Sequence, residues 1–181
     1  MKKNVLIFGL ISGLIITTMM VATSLSCYNN PEGFKGNEVV GYAGMLIAFA
    51  FIFVGIKNYR DRYNQGTITF GKAFKVGFYI ALVASTFYVL TWLVEYYLFV
   101  PDFMDKYTAH VMNEARTSGA TEAELAAKAK NMEWYQSMYK SPIFVILLTF
   151  AEVLPLGIVV ALISALILKR RSRRLSGVLS N

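Results

Sequence analysis

Two acidic residues, Glu95 and Glu152, lie inside long stretches of otherwise apolar sequence. An ionised carboxylate in hydrocarbon costs on the order of several kcal/mol unless it is paired or hydrated, so such residues are candidates for binding a proton or a cation. Glu152 lies on the order of 13 Å along a helix that begins at Pro142. It needs either a proton or hydroxyl donors on neighbouring helices. The candidate donors are Thr17, Thr18, Thr86 and Thr91.

Two further features extend this candidate polar site, which consists of Glu152, Pro155 and Glu95. Pro155 has no backbone N–H, so it frees a carbonyl oxygen close to Glu152. Glu95 lies between Trp92 and Tyr96, where aromatic residues are typical of the membrane–water interface, and we expect its carboxylate to reach water. The site is open to two interpretations, a proton or cation site and a hydrogen bond that only fixes helix packing.

The chain lacks the residue patterns of an enzyme or of a cofactor site. It contains one Cys and one His, which leaves no disulfide and no metal-ligand cluster. It also lacks a Ser/His pair and a pair of acids at a spacing suited to catalysis. The sequence therefore predicts a protein that is not an enzyme and that binds no cofactor.

Composition predicts an all-α integral membrane protein with a single domain. Hydrophobic residues make up 56% of the 181 residues, which is too apolar for a soluble domain. A helix of about 20 apolar residues crosses a bilayer and satisfies its own backbone hydrogen bonds. Four stretches meet this requirement, at residues 5–26, 39–56, 76–100 and 142–168.

The sequence of residues 102–141 predicts an amphipathic helical hairpin between the third and fourth spans. Ser118 and Gly119 interrupt the helical pattern. Thr121 and Glu124 then match a capping box, in which each side chain bonds the other residue's backbone N–H at the start of a helix. We expect both helices to lie against the outer face of the membrane, because their apolar sides need cover.

The distribution of Lys and Arg predicts that both termini are cytoplasmic. Twelve of the 18 Lys and Arg residues lie in the N-terminal residues, in the loop between the second and third spans, or in the basic tail at 169–181. Loops rich in Lys and Arg stay inside, so this bias accounts for the net charge of +7. A nucleic-acid partner is not indicated, because no binding motif accompanies these cations. The bilayer is the expected partner, and a cytoplasmic membrane is the expected location.

Small residues recur at four-residue spacing in three of the spans. Such stripes allow two helix backbones to approach closely, within one chain or between a chain and a membrane-protein partner or a second copy. The candidate packing residues are Gly9, Gly13, Gly77, Ala81, Ser85, Gly157 and Ala161. A separate alternative concerns residues 24–27, where Cys27 after small residues resembles a lipoprotein cleavage signal, although the preceding apolar run is long for one.

Three blocks of sequence resemble a known family. They read YRD at residues 59–61, GTITFGKAFKVG at 66–77 and TFAEVLPLG at 149–157. These blocks are similar to those of small bacterial membrane proteins, common in Bacteroidota, that are catalogued as domain of unknown function 4199. The resemblance covers nearly the whole chain and implies the same four-span order. It implies no activity and no site residues.

Two functions follow from these features. The first is a non-enzymatic structural or protein-interaction module, whose small-residue stripes and outer hairpin bind other proteins or a second copy. The alternative is a small carrier or ion- or proton-conducting protein that uses Glu152. A continuous polar cavity that reaches Glu152 would favour transport, and a dry, packed bundle would favour the module.

Overall fold

The computed structural model describes residues 1–29 and 37–170, and these residues form an all-α fold. Four of the helices, α1 (Lys2–Asn29), α2 (Asn37–Asn58), α3 (Phe70–Leu98) and α6 (Pro142–Leu168), are long and apolar enough to cross a membrane. The predicted helical class and the four long apolar helices are thereby confirmed. In chain order the helices are α1 (Lys2–Asn29), α2 (Asn37–Asn58), α3 (Phe70–Leu98), α4 (Phe103–Thr117), α5 (Glu122–Tyr139) and α6 (Pro142–Leu168).

The helices extend beyond most of the apolar stretches that predicted them. α3 begins at Phe70 rather than at residue 76, because the Thr69 hydroxyl caps its N-terminus by accepting the Lys72 backbone N–H. Lys72 and Lys75, which the sequence placed in a loop, are therefore helical. α1 continues to Asn29, past the possible cleavage signal, but the Cys27 side chain lies outside the described part of the chain. Residues 171–181 of the predicted basic tail also lie outside it.

α3 is the central helix of the bundle. It packs against α1 on one side and α6 on the other, and α2 contacts all three. Gly9 of α1 faces Val83 of α3, and Gly13 faces Phe87. The contacts run in the same order along both helices, so α1 and α3 are parallel. We call the end that holds Lys2 the basic end, and the opposite end the α4–α5 end.

Backbone and side-chain contacts close the basic end. α2 passes into a π-helical turn at Tyr59–Tyr63, in which Arg60 Nε lies 2.6 Å from Asp61 Oδ1. Ile68 and Arg170 exchange two backbone hydrogen bonds of 2.9 Å, which join the loop before α3 to the residues that follow α6. The ends of α2 and α6 and the start of α3 are thus held together.

Buried polar side chains of α1 hold it against α2. The Asn4 side-chain amide donates to the Gly55 carbonyl at 2.9 Å, and the Asn58 amide donates to Asn4 Oδ1 at 2.6 Å. Further along, the Ser12 hydroxyl donates to the Ala48 carbonyl at 2.7 Å. Asn4 and Ser12 are buried, so these bonds form away from water, where an unpaired group is costly.

α4 and α5 pack against each other at the far end of the bundle. The Gln136 amide of α5 donates to Asp105 Oδ1 at 3.1 Å and to the Thr108 hydroxyl at 3.2 Å. Gly119, with φ of +79°, makes the turn between the helices. The capping box of Thr121 and Glu124 is present as the sequence indicated.

A three-residue cluster attaches the start of α4 to the end of α1. Lys106 Nζ lies 3.3 Å from the ring centroid of Tyr28 and 3.4 Å from Asp102 Oδ2. The hydrogen bond between Tyr28 and Asp102 lowers the pKa of the Asp102 carboxyl and raises the pKa of the Tyr28 phenol. α4 is therefore fixed to α1 as well as to its neighbour α5.

Candidate functional site

Two of the small-residue stripes meet at the contact between α3 and α6. A Cβ atom added at Gly77 would lie 2.9 Å from the Ala161 Cβ, and one added at Gly157 would lie 2.9 Å from the Ala81 Cβ. Such distances are shorter than van der Waals contact allows. The backbones of α3 and α6 are therefore as close as glycine and alanine permit, which is the geometry typical of membrane helix pairs.

The third stripe, Gly9 and Gly13, lies at the contact between α1 and α3. An added Cβ would be 2.7 Å from the Val83 Cβ at Gly9 and 3.1 Å from the Phe87 Cβ at Gly13. Ser85 is fully buried in α3, and its hydroxyl has no hydrogen-bond partner among the described residues. All the candidate packing residues except Ser85 are thus seen at two interfaces that share α3.

Glu95 lies in the protein interior, where the sequence predicted a carboxylate that reaches water. Only 4% of the residue is exposed. Its Oε1 accepts a hydrogen bond from the Ser24 hydroxyl of α1, and its Oε2 has no partner in the described part of the chain. The prediction is wrong because α1 and the aromatic residues at the start of α4 cover this face of α3.

Glu152 is exposed on the side of α6, as is Pro155. Three of the predicted hydroxyl donors bond carbonyls of their own helices instead: Thr18 to Leu14, Thr86 to Leu82 and Thr91 to Phe87. The Thr17 hydroxyl has no partner among the described residues. Those donors were predicted wrongly, because a helical threonine reaches the carbonyl four residues earlier without crossing to another helix.

Glu152 acts electrostatically on two phenols, those of Tyr88 and Tyr139, where the sequence predicted threonine donors. The half-buried Tyr88 phenol of α3 lies in the electrostatic field of both Glu152 and Glu95. Burial, followed by the Glu152 carboxylate, raises the pKa of the Tyr139 phenol to about 12. In the sequence, only the position of Tyr88 within a predicted span, four residues before Trp92, indicated that it could lie near an intramembrane acid.

Two surface depressions lie away from both acids. One is an open cleft between α4 and α5, lined by residues on both sides of Gly119, including Glu114 and Lys128. The other is an apolar groove on α1, lined by Leu14, Ile15, Thr18 and Met19. Neither is lined by Glu95 or Glu152. Across residues 1–29 and 37–170, no three His, Cys, Asp or Glu side chains are grouped as metal ligands. The carboxyl groups of Glu95 and Glu152 can accept hydrogen bonds and bind protons.

Comparison with known proteins identifies a family. No curated protein and no solved structure matches the chain. The model of the family described as "Protein of unknown function (DUF4199)" matches residues 7–170, which include the whole of α2 to α6 and most of α1. The resemblance seen in the three sequence blocks is confirmed, and the chain belongs to the DUF4199 family.

Proposed function

We propose that the protein is a multi-pass protein of a bacterial inner membrane, with α1, α2, α3 and α6 crossing the bilayer. The length and apolar composition of these helices support insertion. The basic end would face the cytoplasm, because loops rich in Lys and Arg stay on that side. α4 and α5 would then form a hairpin on the opposite side. The cations that support this orientation are Lys2, Lys3, Lys57, Arg60, Arg62, Lys72, Lys75, Lys169 and Arg170.

The orientation predicts an opposite response from two reporter fusions. A cytoplasmic reporter fused after Arg174 should be active, and the same reporter inserted after Gly119 should be inactive. An exported reporter should give the reverse pattern, because the two positions lie on opposite sides of the membrane. Equal signals from both positions would show that the number of spans is wrong.

Within that topology, we infer that the chain acts as a non-enzymatic structural or interaction module. The observation that carries this inference is the contact between α3 and α6, where Gly77 and Gly157 bring the backbones together and fill the centre with apolar contacts. Close packing of this kind supports a rigid body rather than a pathway. A partner surface is available on α6, because 22% of its apolar window is buried, against 39% in each of the other spans.

A second candidate is a carrier or a proton- or ion-conducting protein that uses Glu152. The observation that favours it is the electrostatic interaction of Glu152 with the Tyr88 and Tyr139 phenols, because ionisable residues inside membrane spans often mark ion or proton pathways. This candidate requires proton or ion flux that depends on the Glu152 carboxyl. The module requires none.

Flux through purified protein in lipid vesicles separates the two candidates. The module predicts that wild-type vesicles under a pH gradient leak protons no faster than protein-free vesicles. It also predicts that Glu152→Gln, which keeps the size of the side chain, folds like wild type. Flux in the wild type that Glu152→Gln abolishes would establish the carrier instead.

A further inference from the structure

Positive charge collects at the basic end of the bundle. Among residues 1–29 and 37–170, nine Lys and Arg residues lie there beside one acid, Asp61. Arg60 engages both oxygens of that acid, with Nε 2.6 Å from Oδ1 and Nη2 3.2 Å from Oδ2. The side chains of the remaining cations are exposed, and these are Lys2, Lys3, Lys57, Arg62, Lys72, Lys75, Lys169 and Arg170. The basic end therefore presents a strongly positive surface.

Three of these cations lie around the π-helical turn between α2 and α3. Lys72 Nζ of α3 lies 2.7 Å from Oδ1 of Asn64, the residue that follows the turn. The charges of Lys57, at the end of α2, and of Arg170, which follows α6, act on the Asp61 carboxylate within the turn. The fold thus brings together cations from three helix ends that are far apart in the sequence.

Contacts with the rest of the protein fix the positions of these cations. Arg170 exchanges two backbone hydrogen bonds of 2.9 Å with the loop before α3. The Arg60 guanidinium of the turn donates to the Leu168 carbonyl at 3.4 Å. The Lys72 ammonium also lies 5.6 Å from the centroid of the buried Tyr59 ring. The three cations are therefore part of the folded bundle and hold a defined arrangement.

Exposed apolar side chains lie directly beside the cations. Val54 precedes Lys57 by one helical turn, and Ile167 precedes Lys169 by two residues. Phe70 is exposed in the first turn of α3. A ligand that matches this surface carries negative charge next to hydrocarbon. A phospholipid has both parts, whereas inorganic phosphate has only the charge.

We propose that the basic end binds the headgroups of anionic phospholipids, through a surface centred on Lys57, Lys72 and Arg170. The inference rests on the proposed topology, which places this end among the headgroups of the cytoplasmic leaflet. Lipid phosphates accept charge-assisted hydrogen bonds from ammonium and guanidinium groups, and the acyl chains cover the neighbouring apolar side chains. Bound lipid reduces the repulsion between the cations. It thereby holds the ends of α2, α3 and α6 together.

Lipid binding by the full-length protein in neutral detergent micelles tests the proposal. Native mass spectrometry should detect bound phosphatidylglycerol at lower lipid concentrations than phosphatidylcholine with the same acyl chains. The triple variant Lys57→Gln, Lys72→Gln, Arg170→Gln should bind phosphatidylglycerol more weakly on the order of a hundredfold, at about fivefold for each cation near the surface. Its binding of phosphatidylcholine should not change. Equal affinity of the wild type for the two lipids would overturn the proposal.

Two matched variants separate the place of the charge from its amount. Lys128→Gln, Lys130→Gln, Lys140→Gln removes the same net charge from α5 and the residue after it, and it should bind phosphatidylglycerol like the wild type. Lys57→Arg, Lys72→Arg, Arg170→Lys keeps the charge of the basic end and should also keep the preference. A loss of phosphatidylglycerol binding in either variant that equals the loss in the glutamine variant of the basic end would contradict the proposed surface.

Thermal melting in nanodiscs provides a second readout in case the glutamine variant is less stable. The quantity to compare is the difference in melting temperature between phosphatidylglycerol and phosphatidylcholine nanodiscs, because a general loss of stability lowers both values. A ligand that binds the folded state raises the melting temperature, so the wild type should melt higher in phosphatidylglycerol. The glutamine variant should lose that difference. An unchanged difference in the variant would refute the assignment of the three cations.

An alkaline wash of vesicles that carry the protein separates the failure of this inference from the failure of the proposed topology. A protein that stays in the washed vesicles but does not prefer phosphatidylglycerol is inserted as proposed, and only the lipid surface is refuted. A protein that the wash removes is not inserted, and both proposals fail. Displacement of phosphatidylglycerol by millimolar inorganic phosphate, or tighter binding of single-stranded RNA than of lipid, would also overturn the lipid surface.

Discussion

Replacement of Gly157 by leucine is expected to lower the free energy of unfolding by about 3 kcal/mol, the upper end of the range for overpacked cores. The reason is geometric: even a Cβ at this position would lie 2.9 Å from the Ala81 Cβ and 3.2 Å from Phe49 Cζ. α3 and α6 would have to separate along their whole contact. Equilibrium unfolding in mixed micelles measures the change.

Gly41→Leu is the matched control for this substitution. Gly41 is also a helical glycine in an apolar segment, but a Cβ added there meets nothing within 4 Å. Its free energy of unfolding should change by no more than about 0.5 kcal/mol. A double variant adds a second check. Adding Ala81→Gly to Gly157→Ala should restore stability, because the loss of the Ala81 Cβ makes room for the new Cβ at position 157. Equal losses in Gly157→Leu and Gly41→Leu would show that α3 and α6 do not pack as described.

Asn4→Leu is expected to cost about 1–3 kcal/mol of unfolding free energy. The substitution removes the donor to the buried Gly55 carbonyl and the acceptor for the half-buried Asn58 amide, so each partner loses a hydrogen bond. The same unfolding assay in micelles measures the loss.

Thr18→Val is the control for the loss of a polar side chain from α1. The Thr18 hydroxyl is exposed and bonds the Leu14 carbonyl of its own helix, so no other helix loses a partner. Its stability should remain close to that of the wild type. If Asn4→Leu proved as stable as Thr18→Val, the polar contact between α1 and α2 would make no contribution to the free energy of unfolding.

Span number and helix type were predictable because they depend on quantities that the sequence displays. Apolar length fixes what can cross a bilayer, and small residues at four-residue spacing mark where backbones can meet. The fourth predicted span begins where α6 begins, because proline is favoured at the first position of a helix, where the missing N–H would have no partner. Gly77 and Gly157 could be selected as packing residues for the same reason, although nothing in the sequence indicated that their helices face each other.

The rotation of each span was not predictable, and this explains the errors at the acids. A helix that is apolar on all sides has no polar face to orient it, so the sequence could not show that Glu95 points inward and Glu152 outward. The role of Asn4 was hidden for a related reason. Its partner in α2 is a backbone carbonyl, which every residue possesses, so the pairing leaves no mark on the sequence of the partner helix.

The contact between α3 and α6 also determines the order in which the protein can be completed during its synthesis. Ribosomes make the chain from its N-terminus, so α3 is complete well before α6 exists. Until then, the side of α3 that carries Gly77 and Ala81 has no α6 to pack against. The hydrogen bonds between Ile68 and Arg170 can form only after α6 has been made. α6 is therefore the helix that completes the bundle. In a chain that ends after the α4–α5 hairpin, α3 can pack against α1 and α2 but not against α6.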